Sequence, residues 1–511
     1  MQRIAGLVFC AVLPAGAFGQ ALNIPWSGYA HDPQHTAVSA NASQPLNNIH
    51  WCTPVDLNPP GGGTGELLIH YGSPIVTAAK TVLLPVKTGN TGGYEVMAFQ
   101  GAANCGFSGW PFSGSNTPLY TLTSDYIQPG HDWIPPYGPV LAIRNRVYYP
   151  GAGGTVYYRD SVDTATGPSG QIAFYGNTLY SDSPATFNNT VMIDTPITTD
   201  RSGTIYFGYA VTGPNPAGLP VGGGIARIAI TGAGNCVTTT SIGTTVGDGS
   251  ISQIALNAAP ALSNDQRTLY AAVVGNSGYL VSLNTTSLAV TGHVPLIDPL
   301  SGGPASVNGD SSATPMVGPD GDVYFGVLEQ YFASHHDRGW LLHFNSTLTQ
   351  SKLPGSFGWD NTPALVTSSL VPSYRGTSAY LILTKYNNYI QFGDGQNKLA
   401  VLDPNAPMPD EYSSGAVTVM QEVLTILGPT SNPNGGVDEW CINTAAIDPF
   451  SKSALVNSED GTLYRWDFTT NTFTQKIKLT GGLAEAYTPT AIGVDGTVYA
   501  INDAVIFAVG N

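Results

Sequence analysis

The sequence predicts an all-β protein, an eight-bladed β-propeller of four-stranded antiparallel blades whose ring is closed by an N-terminal strand. Three observations predict this fold. A short apolar motif recurs eight times, tight turns precede many of the apolar stretches, and 61 Gly and 38 Pro interrupt the chain too often for long helices. Hydrophobic residues make up 42% of the 511 residues, which is enough for a large core.

Each repeat begins with a small or polar residue and usually a proline, followed by a short apolar run. The marker positions are Pro74, Pro139, Pro196, Pro260, Pro315, Pro363, Ala445 and Pro489. They lie 44 to 82 residues apart. Such intervals accommodate the four strands of one propeller blade and its loops. Helical solenoids would need longer segments with a 3.6-residue period, and the sequence has none.

The second half of several repeats places a tight turn before an apolar and aromatic stretch. Examples are Asp320-Gly321, Asp460-Gly461 and Asp495-Gly496. Because glycine accepts the positive φ that hairpin turns need, an Asp-Gly pair between apolar stretches predicts a hairpin. Each repeat is therefore predicted to be a small antiparallel meander.

The two ends of the chain predict how the ring closes. The last repeat has sequence for about three of the four strands of a blade, and residues 48–55 look like one unpaired strand. We expect a signal peptide at residues 1–19, an N-terminal extended segment at 20–47 and a single propeller domain at 48–511. The long interval between Pro363 and Ala445 predicts an insertion in blade six at residues 405–437.

Charge and hydropathy exclude two classes of partner. With 18 Lys+Arg against 34 Asp+Glu and a net charge of −16, the chain cannot neutralise a row of phosphates, so no nucleic acid is expected. The one long apolar run, Ile4 to Ala17, is too short to span a membrane and precedes a small-x-small cleavage pattern ending at Gly19. We expect a monomer that is secreted or periplasmic, with no transmembrane segment.

Four cysteines follow the predicted signal peptide, and an exported protein can form disulfides. Cys105 and Cys236 occur in matching Gly-Ala contexts, which places them at the same outer turn of blades one and three, too far apart to bond. Cys52 lies on the predicted closing strand, close to blade one. The favoured disulfide is therefore Cys52–Cys105.

The segment from Trp26 to Thr36 is similar to the opening of PQQ-like repeat β-propellers, and the recurring (Asp/Asn)-Thr-Pro and Asp-Gly-x-Val/Leu-Tyr motifs resemble their repeats. This resemblance, to the quinoprotein alcohol dehydrogenase-like superfamily, covers essentially the whole mature chain. The superfamily includes calcium- and quinone-dependent alcohol and sugar dehydrogenases. It also includes cofactor-free relatives such as outer-membrane assembly scaffolds.

Two departures from the dehydrogenase pattern favour a non-catalytic member. The chain has no vicinal Cys-Cys pair, and no blade keeps the regularly placed Trp that locks neighbouring blades in those enzymes. The nearest counterparts of that motif are Ser282–Thr286, Val401–Pro404 and Arg465–Thr470. We therefore expect no cofactor, and PQQ with Ca²⁺ only if the protein is a dehydrogenase.

The face at which chain segments enter the innermost strands is predicted to carry the site. By resemblance to the Trp-Asp neighbourhood of quinoprotein dehydrogenases, the catalytic base would be Asp360 or Asp132. The residues placed to contact a cofactor are Trp133, Trp359, Asn361, Trp440 and Asn443, and the carboxylate and amide oxygens suited to Ca²⁺ are those of Asp194, Asn257 and Asp310. The alternative is structural, since such Asp and Asn side chains commonly hydrogen-bond turn backbone.

The densest run of ionisable residues is His335-His336-Asp337-Arg338. It lies between two aromatic stretches and is predicted to be a solvated hairpin tip. Adjacent histidines point to opposite faces of a strand, so metal binding, the alternative, would require a loop.

Three functions are compatible with these features. The favoured one is a binding or scaffold protein at the cell envelope or outside the cell, with a protein or glycan ligand on the face just described. The second is a quinone- and calcium-dependent alcohol or sugar dehydrogenase. The third is a carbohydrate-binding or carbohydrate-acting propeller that uses the same face.

Overall fold

The computed structural model describes residues 23–58, 72–89, 92–101, 105, 116–129, 137–307, 313–442, 444–482 and 486–511. Eight antiparallel sheets follow one another along the chain, and each begins with a short inner strand next to one of the eight sequence markers. The eight-bladed β-propeller is confirmed. The predicted signal peptide, residues 1–19, lies outside the described residues.

The strands of the first four blades follow the chain outward from the axis. Blade one contains β2 (Ile75–Val76), β3 (Val82–Lys87), β4 (Tyr94–Phe99) and β5 (Tyr120–Ser124); blade two contains β6 (Val140–Ala142), β7 (Arg146–Pro150), β8 (Thr155–Arg159) and β9 (Ser169–Ala173). Blade three contains β10 (Val191–Ile193), β11 (Thr198–Thr199), β12 (Ile205–Val211), β13 (Gly224–Ile228) and β14 (Gly234–Thr238); blade four contains β15 (Gln253–Ile254), β16 (Ala261–Leu262), β17 (Thr268–Val274), β18 (Gly278–Asn284) and β19 (Val290–Pro295). In blades three and four the inner strand is interrupted, and both pieces pair with the same neighbour.

The last four blades repeat the pattern, with one strand contributed by the N-terminal part of the chain. Blade five contains β20 (Met316–Val317), β21 (Val323–Val327) and β22 (Trp340–Phe344); blade six contains β23 (Ala364–Thr367), β24 (Tyr380–Tyr386), β25 (Lys398–Pro409) and β26 (Thr418–Leu427). Blade seven contains β27 (Ala446–Asp448), β28 (Ser453–Asn457), β29 (Thr462–Asp467) and β30 (Thr472–Lys478); blade eight contains β31 (Ala491–Ile492), β32 (Val498–Asn502), β33 (Val505–Gly510) and the outermost strand β1 (Asn48–Pro54).

Among the described residues, three short α-helices connect blades in the first half of the ring. They are α1 (Asn177–Asp182) and α2 (Pro184–Thr190) between blades two and three, and α3 (Thr239–Val246) between blades three and four. In the part of the chain that the structure describes, no helix is both long and apolar enough to cross a membrane.

The core lies between neighbouring sheets. One cluster, for example, brings together Leu463 of blade seven, Val498 of blade eight and Val82 of blade one. Because each sheet is covered on both faces, its central strands are apolar on successive residues rather than on alternate ones.

The closing strand β1 pairs antiparallel with β33 and completes blade eight, as predicted. Beyond β1 the chain continues into blade one, where Asp56 pairs with Lys87 through a 2.8 Å ion pair. A disulfide joins Cys52 of β1 to Cys105 of blade one, with 5.0 Å between their Cα atoms. Blades eight and one are thus connected by backbone, ionic and covalent contacts.

Blade six extends over the outer edge of blade five. Residues 351–355 run beside β22 and pair with it only through isolated bridges. On their other side, Met420 donates its backbone N–H to the carbonyl of Pro354 at 2.8 Å. Val419 is buried in the same cluster as Trp340 of blade five. The first half of residues 405–437 therefore forms a two-stranded ribbon that covers a sheet edge of blade five, which would otherwise be open to pairing with another chain.

Candidate functional site: the upper face and the channel

We call the face at which the inner strands begin the upper face and the face at which they end the lower face. Hydroxyl side chains lie directly before the inner strands and, in blade three, between the two pieces of the inner strand. This hydroxyl ring consists of Ser73, Thr195, Thr314, Thr362, Thr444 and Thr488, all buried. Five of these residues precede a proline, which restricts them to extended backbone and brings their hydroxyls to equivalent places, whereas Thr444 precedes Ala445.

Residues 23–44, the N-terminal clasp, circle inside the ring along the ends of the inner strands. Backbone hydrogen bonds join Trp26 to Val76, Ser27 to Leu141, Pro33 to Leu262, Gln34 to Val317, Thr36 to Leu365, Ala37 to Ile447 and Gln44 to Gly496. These partners belong to blades one, two, four, five, six, seven and eight. The clasp therefore crosses the lower end of the channel and connects the blades in their order around the axis.

Two side chains of the clasp reach the hydroxyl ring. The Tyr29 hydroxyl lies 2.8 Å from Oγ1 of Thr362, and Nδ1 of His35 lies 2.8 Å from the carbonyl of Pro315 and 3.3 Å from Oγ1 of Thr314. Burial lowers the pKa of His35, although the Pro315 carbonyl opposes this shift. Aromatic and imidazole rings thus occupy the channel between the clasp and the hydroxyl ring.

Asp32 holds the clasp in its tight path. Its carboxylate accepts hydrogen bonds from the backbone N–H of Gln34 at 3.1 Å and of Thr36 at 3.0 Å, and from the Thr36 hydroxyl. Burial acts to raise the pKa of Asp32, but the hydrogen bonds from His31 and Thr36 outweigh it and hold the pKa below its usual value.

The predicted catalytic residue Asp360 is completely buried at the beginning of the inner strand of blade six. It has a φ of +47°, and the backbone N–H groups of Gly358 and Trp359 just before it both donate to the carbonyl of Arg338. Asn361 is also buried, whereas Trp359 is partly exposed. The other predicted base, Asp132, and its neighbour Trp133 lie outside the described residues.

One of the residues predicted to contact a quinone, Trp440, lies in the core. Trp440 is completely buried, and its ring packs against Phe473 at 5.8 Å and Tyr464 at 6.0 Å between ring centroids. A planar cofactor needs an accessible ring face, and the Trp440 indole lies in the core instead. Asn443 lies outside the described residues.

Two of the three predicted calcium ligands are neighbours. The backbone N–H of Asn257 donates to the carbonyl of Asp194 at 2.9 Å, and both residues are buried. Neither carboxyl oxygen of Asp194 has a hydrogen-bond partner among the described residues, and burial raises its pKa well above the usual value. Asp310, the third predicted ligand, lies outside the described residues.

A cluster of two buried and two partly buried ionisable residues near Asp360 was missed in the sequence. It contains Tyr389, Glu439, Cys441 and Glu459, with Cys441 Sγ 3.5 Å from Oε2 of Glu459. Burial raises the pKa of Tyr389 well above its usual value, and the nearby Glu439 raises it further. The signal was present, since Glu439-Trp440-Cys441 directly precedes the predicted inner strand of blade seven.

The prediction that His335 to Arg338 form a solvated tip is wrong for two of these residues. His335 and Arg338 are completely buried. The His335 ring stacks on Trp340 at 3.7 Å between centroids, and its Nε2 lies 3.2 Å from Asp410 Oδ2 at the tip of the blade-six ribbon. Folding of the ribbon onto blade five removes this histidine from solvent, which is a tertiary contact that local sequence does not encode.

Apolar side chains are exposed beside this region. Tyr331 is 62% exposed and Phe332 is 76% exposed on the upper loop of blade five. Phe332 contacts Phe392 of the upper loop of blade six at 5.1 Å between ring centroids, and Ile390 of the same loop is also exposed. We call these four residues the upper aromatic surface.

The two loops that carry the upper aromatic surface are fixed from beneath. Glu329 accepts hydrogen bonds from the backbone N–H groups of His335, Asp337 and Gly339. His336 Nδ1 lies 2.8 Å from Oδ1 of Asn388, which connects the blade-five loop to the blade-six loop. The surface is therefore presented by ordered loops.

No family model matches the chain, and no curated protein matches it. Solved structures similar to it include a quinohemoprotein alcohol dehydrogenase from Comamonas testosteroni, with 10% identity, a TM-score of 0.49, and coverage of 96% of this chain and 82% of that one. BamB from Moraxella catarrhalis has 12% identity, a TM-score of 0.44, and coverage of 87% and 98%. Sqt1 from Saccharomyces cerevisiae has 10% identity, a TM-score of 0.46, and coverage of 92% and 100%. Because these identities and TM-scores are low, the fold is assigned from the sheet order described above and not from these similarities.

Proposed function

We propose that this protein is an exported, monomeric, PQQ-like propeller that acts as a non-catalytic binding or scaffold protein and docks a protein ligand on the upper aromatic surface. The observation that carries the proposal is the exposure of Tyr331 and Phe332 on ordered loops. Large exposed aromatic side chains are enriched at the centres of protein interfaces, where they bury area at little entropic cost.

Two further features support binding rather than catalysis. The channel is occupied by Tyr29 and His35 from the clasp, and the Trp440 ring is packed in the core. The Cys52–Cys105 disulfide supports export, because disulfides persist in oxidising compartments.

The test compares capture by matched variants of the full chain. We expect a double variant, Tyr331→Ser with Phe332→Ser, to lose at least tenfold in binding to a polypeptide recovered from envelope extract or culture medium. Phe450→Ser is the control, because Phe450 is 63% exposed on a lower-face loop. Equal binding by both variants overturns the proposal. Capture that is abolished by glycosidase but not by protease indicates a glycan ligand instead of a protein ligand.

One observation favours the calcium-dependent dehydrogenase as a second candidate. Among the described residues, the Asp194 carboxyl has no hydrogen-bond partner, its backbone carbonyl accepts from the N–H of Asn257, and oxygen donors of this kind suit Ca²⁺. Reconstitution with Ca²⁺ and the quinone tests it through the absorption spectrum and dye reduction, with Asp194→Asn as the matched variant. A protein with no bound chromophore and no Ca²⁺-induced rise in Tm excludes this candidate.

A further inference from the structure

A cavity of about 550 Å³ lies on the lower face where blade eight meets blade one. Its lining comes from both sides of the closure: His50, Trp51, Asp495 and Tyr499 belong to blade eight, and Lys80 and Gln100 belong to blade one. We call it the seam cavity. Its volume falls in the range of about 300 to 1,000 Å³ that is usual for small-molecule sites.

The floor of the seam cavity is aromatic. The rings of Trp51 and Tyr499 are 6.0 Å apart between centroids and inclined at 55°. Both side chains are about 95% buried, and Trp51 is also held by Phe99 at 5.7 Å. Both residues line the cavity, but their rings are almost entirely covered, so they give the floor a fixed shape and little open apolar surface.

The walls of the seam cavity are polar but nearly neutral. Lys80 Nζ lies 3.4 Å from Asp495 Oδ2, so the cation and the carboxylate across the seam compensate each other. Hydrogen bonds from Thr497 and Lys80 hold the pKa of Asp495 below its usual value although burial opposes this, so the carboxylate is ionised at neutral pH.

Two glutamine side chains in the cavity wall have fixed orientations. Gln100 Nε2 donates to Thr81 Oγ1 at 2.9 Å and to the carbonyl of Asp163 at 2.7 Å. Gln44 Nε2 donates to the carbonyl of Asp495 at 2.9 Å, and its Oε1 accepts from the backbone N–H of Asn511 at 2.8 Å. Because the N–H groups of both amides are already donated within the protein, the amides can serve a ligand only through their oxygens, as acceptors without a net charge.

We propose that the seam cavity binds a neutral mono- or disaccharide. A neutral sugar carries a rim of hydroxyls and no net charge, which matches a cavity whose walls present amide oxygens and an ion pair. A free anion is disfavoured because Lys80 is already paired with Asp495, and a lipid chain is disfavoured because the walls are polar. The site lies on the face opposite the upper aromatic surface, so it is independent of the proposed docking function.

A ligand at this position stabilises ring closure. The cavity joins β1 and the C-terminal residue Asn511 to the 1–2 loop of blade one, which carries Lys80. Because a ligand that binds only the closed ring favours that state by mass action, the bound sugar raises Tm in a concentration-dependent way.

The experiment titrates the full chain with glucose, galactose, N-acetylglucosamine, maltose and cellobiose, followed by calorimetry and tryptophan fluorescence. We expect saturable binding of at least one sugar with a Kd below about 10 mM, a range that calorimetry at high ligand concentration resolves. Gln100→Leu and Asp495→Asn each lower the affinity about fivefold or more, because each removes or disturbs a hydrogen-bonding group. Gln391→Leu, an exposed upper-face change, leaves the affinity unaltered.

Circular dichroism and Tm confirm that each variant folds before it is titrated. Absence of binding by the wild-type chain to every sugar overturns the proposal, as does binding that both seam variants retain. Preferential binding of glucuronate or inorganic sulfate over the neutral sugars also overturns it, because the site would then select anions.

Discussion

The phenolic oxygen of Tyr29 lies 2.8 Å from Oγ1 of Thr362, so the N-terminal clasp is hydrogen-bonded to the hydroxyl ring at the opposite end of the inner strands. The same Thr362 oxygen accepts from the backbone N–H of Thr314 at 3.0 Å. One contact therefore connects the clasp with the inner strands of blades five and six. The channel interior is part of the structural framework of the ring.

Removing the Tyr29 hydroxyl tests this connection. We expect Tyr29→Phe to lower the free energy of unfolding by about 1 kcal/mol, the usual value for a buried hydrogen bond, and to lower Tm accordingly. Tyr331→Phe is the control, because its hydroxyl belongs to a side chain that is 62% exposed. Equal Tm values for both variants and the wild type contradict a structural role of the Tyr29–Thr362 bond.

The hydrogen bonds to the Asp32 carboxylate are expected to make the stability of the protein depend on pH. We expect Asp32→Asn to destabilise the protein by about 2 kcal/mol at pH 7, because hydrogen bonds to an ionised group are lost. The folded-state pKa lies below the unfolded value near 3.8, so this stabilisation is present above about pH 4 and is lost as pH falls through the folded pKa.

Thermal unfolding between pH 3 and pH 7 measures the effect of Asp32. The Tm difference between wild type and Asp32→Asn narrows toward pH 3. Asp182→Asn, at an exposed helix end, serves as the control. A difference that stays constant over the whole pH range contradicts the role of an ionised Asp32.

The Cys52–Cys105 disulfide makes stability depend on redox conditions. It closes a segment of 53 residues, and loss of such a crosslink typically costs about 2–4 kcal/mol. We expect dithiothreitol to lower the Tm of the wild type and to leave the Tm of Cys105→Ser unchanged. Cys236→Ser, which alters a free cysteine, keeps the sensitivity to reductant; an insensitive wild type contradicts the prediction.

The blades could be predicted from the sequence because short local motifs define where each strand begins and turns. The Thr-Pro pairs restrict the backbone before the inner strands, and Asp-Gly turns such as Asp495-Gly496, where Gly496 has a φ of +84°, define the hairpins. The closing strand could be identified for the same reason, since it is an apolar strand with no partner in its own repeat.

The candidate site depended on contacts between distant residues and was predicted less well. Trp440 was expected to face a cofactor, but its packing against Phe473 is decided by the neighbouring strand. His335 was expected in solvent, yet Asp410, 75 residues later, covers it. The upper aromatic surface was missed because Phe332 and Phe392 meet only when blades five and six are adjacent.

The His335–Asp410 contact gives the last prediction. Nδ1 of His335 lies 3.0 Å from the carbonyl of Gly339, and Nε2 lies 3.2 Å from Oδ2 of Asp410. Burial acts to raise the pKa of Asp410, but hydrogen bonds from His335 and Ser356 outweigh it and lower the pKa to about 2. The Asp410 contribution, about 2 kcal/mol, is therefore present above about pH 4 and lost between about pH 4 and pH 2.

Hydrogen exchange of residues 404–420 measures whether this contact holds the blade-six ribbon on blade five. We expect Asp410→Asn to speed exchange at least tenfold in this segment at pH 7, with little change in blades one to four. Glu411→Gln is the matched control, since Glu411 is adjacent in sequence and exposed. If Asp410→Asn exchanges at the wild-type rate, other contacts such as Met420 N–H to Pro354 hold the ribbon and the His335–Asp410 contact is dispensable.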